Sequence, residues 1–436
     1  MPAADEARAP RRPRLTRALA SRNFRLFFGG QSISLVGTWI TRIATSWLVY
    51  RLTGSVLLLG VVGFCGQIPT LLLAPFAGVL VDRWDRHRIL VVTQALSLLQ
   101  SAALAVLTLA GVITVPHVLL LQVAQGVINA FDTPARQAFV SEMVEDRADL
   151  PNAIALNSSM VNASRIIGPS VGGVVIAAVG EGWCFALDAV SYVAVLASLR
   201  AMRLAPRARQ QRETHMREEL AAGFRYVTRF VPVRSALLLL SLVSVMGMPY
   251  TVLMPAISTN VLHGGPHTLG FLMTASGAGA LAGALYLASR RSVVGLGRAM
   301  AVASSTFGAG LVAFSLSRSL WLSLMLLPVV GAGMMITMAA ANTVIQTVVR
   351  EELRGRVMAF YTMAFLGTAP IGSLIAGIAA DRIGPQRTIL LGGLSCIMAG
   401  VWFALSLPRL RELVRPIYVE RGILAAAQVD GTTKSL

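Results

Sequence analysis

Residues 78 to 88 read Gly78-Val79-Leu80-Val81-Asp82-Arg83-Trp84-Asp85-Arg86-His87-Arg88. The stretch lies between two long apolar segments and contains three arginines and two aspartates. Because charged side chains are costly inside a lipid bilayer, we expect the chain to leave a membrane here and to return after a short loop. The stretch therefore predicts two membrane-spanning helices joined on one face of the membrane.

The composition of the whole chain also indicates a polytopic membrane protein. Hydrophobic residues make up 55% of the 436 residues and charged residues only 13%, which differs strongly from a soluble domain. A helix needs about 20 apolar residues to cross a bilayer, and the bilayer core tolerates no unpaired backbone amides. We predict an all-α fold with twelve spans, at 24–50, 55–80, 89–111, 115–138, 156–180, 183–204, 234–260, 267–289, 298–316, 320–348, 357–380 and 387–407.

The distribution of basic residues predicts the orientation of these spans. With both termini in the cytoplasm, 32 of the 38 basic residues lie in cytoplasmic segments or at the adjacent ends of spans, and four lie on the outer side. Cytoplasmic loops carry such an excess of Lys and Arg. The net charge of +18 is thus explained without nucleic acid, since no basic face with interleaved aromatic residues is present. The predicted location is a bacterial cytoplasmic membrane.

A polar stretch in the middle of the chain separates two sets of six spans. We predict five parts: a cytoplasmic tail at 1–22, a six-helix bundle at 23–204, a linker at 205–233, a second bundle at 234–407 and a cytoplasmic tail at 408–436. Within the linker, residues 216–230 have an apolar and a basic face, as in a helix that lies on the inner leaflet. A short solvated linker helix explains this pattern equally well.

The two sets of spans contain similar segments. The fifth predicted span contains Ile167-Gly168-Pro169-Ser170-Val171-Gly172-Gly173, and the eleventh contains Thr368-Ala369-Pro370-Ile371-Gly372-Ser373. Each proline follows a short charged loop at a similar distance. A repeat of this kind is typical of transporters with two related bundles and a substrate path between them.

Several motifs resemble those of the major facilitator superfamily. The loop Gly78-x-x-x-Asp82-Arg83-x-x-Arg86-x-Arg88 looks like the signature loop of that superfamily, and Gly168-Pro169-x-x-Gly172-Gly173 is similar to a motif of its proton-driven exporters. Further stretches resemble the drug-proton antiporter branch that includes macrolide and siderophore exporters. They are Asn23-Phe24-Arg25, Gln31-Ser32-Ile33-Ser34, Trp47-Leu48-Val49-Tyr50, Leu52-Thr53-Gly54-Ser55, Asp132-Thr133-Pro134-Ala135-Arg136 and Leu353-Arg354-Gly355-Arg356-Val357-Met358.

The resemblance implies a role for both motifs. In relatives the loop after the second span contacts the eleventh helix in one conformation, so we expect a conformational latch with Asp82 as its central acid and with Gly78 allowing close helix approach. The latch consists of Gly78, Asp82, Arg83, Arg86 and Arg88. The exporter motif consists of Gly168, Pro169, Gly172 and Gly173 and is expected to close the path in one state. The alternatives are an ordinary charged turn and generic helix packing.

Charged residues within spans are the candidates for proton coupling. Asp132 lies about 24 Å along the fourth span, and Arg165 lies at a depth from which its side chain is expected to reach Asp132. We hypothesise that Asp132 is a protonatable site released from Arg165 or Arg136 during transport. A permanent structural ion pair is an equal alternative. Asp188, near the outer end of the sixth span, is expected to form interfacial hydrogen bonds.

Other polar residues at depth are candidates for a substrate cavity. They are Arg42, Gln67, Gln125 and Asn342, and ordinary hydrogen bonds between helices explain each of them as well. Many drug-proton antiporters carry an arginine three residues before the Gln-Gly pair of the fourth span, but this chain has Gln122 there. The coupling arginine known from these antiporters is therefore absent at this position.

These observations favour a monomeric proton-coupled exporter of amphipathic small molecules such as drugs or siderophores. A solute importer or facilitator of the same superfamily is the alternative. No group of side chains predicts an enzyme, a cofactor site or a metal site, and no nucleotide-binding loop is present. The expected partners are a small-molecule substrate, protons and the lipid bilayer.

Overall fold

The computed structural model describes residues 14–144, 146–203, 216–290 and 292–424. In these residues the regular structure is helical, without a strand. Thirteen helices follow one another: α1 Arg22–Thr53, α2 Val56–Arg83, α3 Arg86–Leu109, α4 Val115–Met143, α5 Leu150–Val179, α6 Glu181–Ala201, α7 Met216–Arg229, α8 Val231–Val261, α9 Pro266–Ser289, α10 Leu296–Leu316, α11 Leu320–Val348, α12 Glu351–Ile383 and α13 Pro385–Glu420. Two short 3₁₀ turns precede α1 and α5, at Arg14–Ala20 and Arg147–Asp149.

Twelve of these helices are long, and they correspond to the twelve predicted spans. Ten of them, α2, α3, α5, α6 and α8 to α13, are long and apolar enough to cross a membrane. The remaining two, α1 and α4, have similar lengths but contain several charged residues. The fold class is therefore that of an all-α polytopic membrane protein.

The helices before and after α7 form two halves with the same packing arrangement. In the first half α2 packs against α4, α3 against α6, and α1 against α5 and α6. In the second half the equivalent pairs are α9 with α11, α10 with α13, and α8 with α12 and α13. The repeat that the glycine-proline segments predicted is thus present in the helix arrangement.

Two polar contacts join α1 to α6 at opposite ends. We call the end where α1 begins and α2 ends the tail side, and the other end the opposite side. On the tail side Asn23 donates from Nδ2 to the backbone oxygen of Arg203 at 2.8 Å and accepts its backbone N–H at 3.0 Å. On the opposite side Arg51 binds Glu181 through both carboxylate oxygens, at 2.7 and 3.2 Å. These contacts fix α1 within the first half.

The amphipathic linker helix is present as α7 and packs against the beginning of α12. A Cβ added to Gly223 would lie 3.0 Å from the Phe360 ring and 3.1 Å from Cβ of Arg356. The Phe224 and Phe360 rings are 6.2 Å apart between centroids. The side chains of residues 216–220 lie outside the described part. The linker therefore contacts the second half directly, which neither of the two sequence interpretations anticipated.

Several helix boundaries differ from the sequence prediction, among them the start of α12 and the end of α13. The first residues of α12 are Glu351 and Glu352, before the predicted start at 357, and acidic residues in a first turn interact favourably with the helix dipole. The last helix continues past the predicted boundary at 407 to Glu420, with Leu410 still buried. Packing extends both helices beyond their apolar segments.

Candidate functional site

The two halves contact each other near the opposite side through pairs of glycines. In the first pair, a Cβ added to Gly377 of α12 would lie 2.9 Å from Cα of Gly60 and 3.1 Å from the backbone oxygen of Leu57, both on α2. Any side chain here would collide with backbone. The absence of side chains thus allows α2 and α12 to touch along their backbones.

The second glycine pair joins α5 to α9 and involves the predicted exporter motif. A Cβ added to Gly173 would lie 2.9 Å from Cα of Gly270 and 2.8 Å from the backbone oxygen of Pro266. The motif residues Gly168 and Gly172 instead face α1. Pro169 lies between them, and its backbone oxygen faces Gly270.

The glycines that face α1 have defined neighbours within the first half. A Cβ added to Gly168 would collide with Cβ of Trp39, and one added to Gly172 would lie 3.3 Å from Cα of Ile40. The motif therefore packs α5 against α1 and, through Gly173, against the second half. A hydrogen bond also crosses between the halves on this side, from Nδ2 of Asn260 to the Tyr50 hydroxyl at 2.7 Å.

On the tail side α2 and α12 are apart. A Cβ added to Gly78 of α2, or to Gly355 of α12, would meet no atom within 4 Å. In this conformation no helix approaches Gly78 closely, because the two halves touch nearer the opposite side, and its role in the latch stays a prediction.

The remaining latch residues make contacts within the first half or remain exposed. Arg86 donates from Nη1 to Glu142 Oε1 of α4 at 2.7 Å. Asp85 caps α3 by accepting the backbone N–H of Arg88, and the Arg83 and Arg88 side chains are exposed. The Asp82 side chain lies outside the described part. In this conformation Arg86 thus connects the loop to α4.

Asp132 is buried in α4 against α3. Its Oδ1 accepts hydrogen bonds from Thr93 Oγ1 at 2.9 Å and from Gln94 Nε2 at 2.7 Å. Its Oδ2 lies 3.7 Å from Nε of Arg136, one helical turn further along. Of the two predicted cations only Arg136 is the partner. Arg165 is directed elsewhere, because depth along a helix does not determine the face on which a side chain lies.

Asp188 is buried at the contact of α1, α3 and α6. Ser101 donates to its Oδ2 at 2.8 Å, and Ser191 donates to its Oδ1 at 3.5 Å. A Cβ added to Gly37 of α1 would lie 2.7 Å from Oδ1 of Asp188, so the glycine makes room for the carboxyl group. Asp188 is only 1% exposed, so the surrounding helices enclose its carboxyl group, and its position relative to a membrane interface stays a prediction.

Arg42 and Arg165 lie on the same aromatic ring. The Arg42 Cζ is 4.9 Å from the centre of the Trp39 ring, and the Arg165 Cζ is 5.8 Å from it. Arg42 is exposed, although Ile40 and Ile43 on either side are buried. The sequence identified both arginines as intramembrane charges but did not place them together.

The other cavity candidates are more dispersed. Gln67 donates to the backbone oxygen of Gly63 in its own helix, and Gln125 donates to Ser97 and Asn129. Asn342 lines an open pocket of about 470 Å³, together with Thr343, Gln346, Thr347, Arg354, Arg421 and Ile423. The pocket lies at the tail-side end of α11. Within the described ranges no three His, Cys, Asp or Glu residues are grouped as a metal site.

Sequence reasoning missed the glycines that face the exporter motif and α2, and the partners of Asp132. Gly60 belongs to the spacing Gly60-x-x-Gly63-x-x-Gly66, which was available as a signal of close helix packing. Thr93 and Gln94 carry no local signal for a carboxylate on another helix.

The chain matches the family model described as transmembrane secretion effector over residues 16–416. It is 27% identical over 373 residues to the staphyloferrin A transporter of Staphylococcus aureus, covering 85% of this chain and 93% of that protein. It is 31% identical over 387 residues to the multidrug efflux pump Tap of Mycolicibacterium fortuitum, covering 86% and 93%. Macrolide efflux protein A of Streptococcus pyogenes is 25% identical, covering 85% and 92%.

Solved structures with a similar fold have much lower sequence identity. A bacterial homolog of the human lysosomal transporter Spinster, in an inward-facing and unoccupied conformation, superposes with a TM-score of 0.70 at 13% identity, covering 92% of this chain and 98% of that one. A peptide transporter of the POT family has a TM-score of 0.69 at 13% identity, with coverage of 90% and 95%. At this low sequence identity, the two structures show only that the fold is shared.

Proposed function

Because the chain belongs to the transmembrane secretion effector family, within the major facilitator superfamily, we propose that it is a proton-coupled exporter of amphipathic small molecules. The efflux pumps and the siderophore transporter among its relatives support the export direction. The protein works as a monomer by alternating access between its two halves.

The arginine distribution supports the cytoplasm as the location of the tail side, since 32 of 38 basic residues are predicted there. The conformation described above then faces inward, with the glycine pairs Gly60–Gly377 and Gly173–Gly270 closing the outer end. During export the outer contacts separate and the tail-side ends of the halves come together. The loop from Gly78 to Arg88 then acts as the latch, with Asp82 next to the beginning of α12.

The observation that carries the proton-coupling proposal is the environment of Asp132. Asp132 is 7% exposed, and its only cationic partner in the described part of the chain is Arg136 at 3.7 Å. This separation is long for a charge-assisted hydrogen bond. Protonation of Oδ2 would remove the negative charge that holds Arg136, while Thr93 and Gln94 would keep Oδ1 in place. The site can therefore change charge without losing its position.

Polar residues of α3 connect Asp132 with Asp188. Thr93, Ser97 and Ser101 are spaced four residues apart on one buried face, which places them about 6 Å apart along the helix. Thr93 contacts Asp132 and Ser101 contacts Asp188. In the proposed cycle a proton from outside binds Asp188, passes along this face with bridging water, and reaches Asp132.

The test measures proton movement in proteoliposomes that contain the wild-type protein or the Asp132→Asn variant. Addition of staphyloferrin A is expected to cause proton flux in the wild type and none in the variant. The matched control is Asp381→Asn, which changes an exposed acid of α12 and should leave flux intact. Equal flux in Asp132→Asn and wild type would remove Asp132 from the proposal.

The direction of transport needs a separate measurement. With an imposed pH gradient, the exporter moves substrate against the direction of the protons. Substrate that moves with the protons, or without any dependence on them, would identify an importer or a facilitator.

A further inference from the structure

Two arginines lie in the middle of the first half without a carboxylate partner. The ion pairs within the described ranges involve other arginines, namely Arg51, Arg86, Arg88, Arg136 and Arg354. Among the described residues no acid lies within 4.0 Å of Arg42 or Arg165, and both guanidinium groups lie against Trp39. The ring compensates a cation only weakly in comparison with a carboxylate. Two like charges thus share one ring without neutralisation.

The nearest buried acids are already engaged. Asp132 is bound by Thr93, Gln94 and Arg136. Asp188 accepts from Ser101 and is packed against Gly37, on a buried side of α1. The positive charge of the arginine pair is therefore not balanced by these groups in this conformation.

The arginine pair lies at the boundary between the two halves. Trp39 packs against Gly168 of α5, and a Cβ added to Gly277 of α9 would lie 3.0 Å from the backbone oxygen of Arg165. Thr274 of α9 also donates to the backbone oxygen of Ile166, next to Arg165, at 3.2 Å. Arg42 is exposed between buried neighbours. Because Arg42 shares the Trp39 ring with Arg165, its exposed side chain lies close to this boundary between the halves.

We propose that Arg42 and Arg165 bind the anionic group of the transported molecule, a carboxylate or a phosphate, and that the transporter selects anionic amphiphiles over cationic ones. This proposal rests on the proposed transport function. Guanidinium groups offer several N–H donors with a fixed geometry to such an anion. A bound anion removes the repulsion between the two arginines, whereas a cationic drug increases it.

The test compares three probes that share a pyrene ring and differ in charge: pyrenebutyrate, its methyl ester and a trimethylammonium analogue. Binding is measured on the full-length protein in a neutral detergent without a pH gradient. We expect the anion to bind at least about tenfold more tightly than the ester, and the cation to bind most weakly. Equal affinity for all three probes would overturn the proposal.

Variants assign the effect to the two arginines. Arg42→Gln and Arg165→Gln should each weaken pyrenebutyrate binding about tenfold and leave ester binding unchanged. Arg42→Lys and Arg165→Lys keep the charge and should retain part of the preference, which controls for loss of folding. Arg318→Gln changes an exposed arginine far from the site and should have no effect. Undiminished anion binding in both Gln variants would refute the assignment.

A second arm separates the transported solute from lipid. The binding assay is repeated in nanodiscs of phosphatidylcholine, with and without phosphatidylglycerol. Unchanged pyrenebutyrate affinity supports a solute site, whereas competition by phosphatidylglycerol would overturn it and assign the arginines to a lipid headgroup. The Asp132→Asn variant should retain the anion preference, so failure of proton coupling remains distinguishable from failure of this site.

Discussion

Substitution of Gly377 is expected to shift the protein away from the conformation described here. A Cβ at this position would lie 2.9 Å from Cα of Gly60, and neither backbone can move without moving its helix. Overpacking of this kind costs about 1–3 kcal/mol. Alanine also favours the helix over glycine, but that gain applies equally to both conformations and does not change their ratio. The equilibrium should therefore shift about 5-fold to 150-fold toward the form that is open on the opposite side.

Distances between spin labels on the opposite side measure this shift. Labels at Leu52→Cys and Arg382→Cys report on the ends of α1 and α12, and both positions are exposed. Cys65 is replaced by serine, whereas Cys184 and Cys396 are buried. Electron–electron double resonance should show a longer-distance population that grows in Gly377→Ala and grows further in Gly377→Val.

Gly355→Ala provides the matched control on the same helix. An added Cβ there meets no atom within 4 Å, so the distance distribution should stay that of the wild type. If Gly377→Ala and Gly377→Val also keep the wild-type distribution, the glycine contact does not determine which side is closed.

Three further predictions concern contacts within and between the halves. Asn23→Ala loses two hydrogen bonds to Arg203 and should lower the free energy of unfolding by about 1–3 kcal/mol, measured by thermal unfolding in detergent. The control Asn162→Ala removes only an exposed hydrogen bond within one helix and should change this free energy little. Arg51→Met leaves the buried Glu181, which is 6% exposed, without its partner and should lower the unfolding temperature. Arg51→Lys should lower it less. Equal unfolding temperatures for the two variants would refute a specific ion pair. Gly223→Leu should separate α7 from Phe360 and Arg356 and increase proteolysis or hydrogen exchange in α7, whereas Ala221→Leu at an exposed position should not.

The helices and the two halves could be predicted from the sequence because the bilayer leaves few choices. Apolar segments of about 20 residues must be helical there, and charged loops mark their ends. The pairing of Asp132 with Arg136 also follows from local spacing, since residues four apart share a helix face. The predicted contact between Asp132 and Arg165 was wrong, because the depth of a residue along its helix does not determine the direction of its side chain around the helix axis.

The closing contacts could not be predicted for a different reason. Gly60 and Gly377, or Gly173 and Gly270, are far apart in the chain, and glycine is common in membrane helices. Their pairing depends on how the two halves are tilted, which is a property of the conformation. For the same reason Gly78, which the sequence marks as strongly as the others, has no close neighbour in this state.

The closure on the opposite side is made mainly by backbone against backbone. The closure therefore depends on the absence of side chains at the four glycines of the two pairs. It depends hardly at all on the chemistry of the surrounding side chains. The residues around Arg42, Arg165 and Trp39 can then change one by one without opening a leak on the opposite side. A transporter built in this way can acquire a new cargo and keep the same barrier to ions.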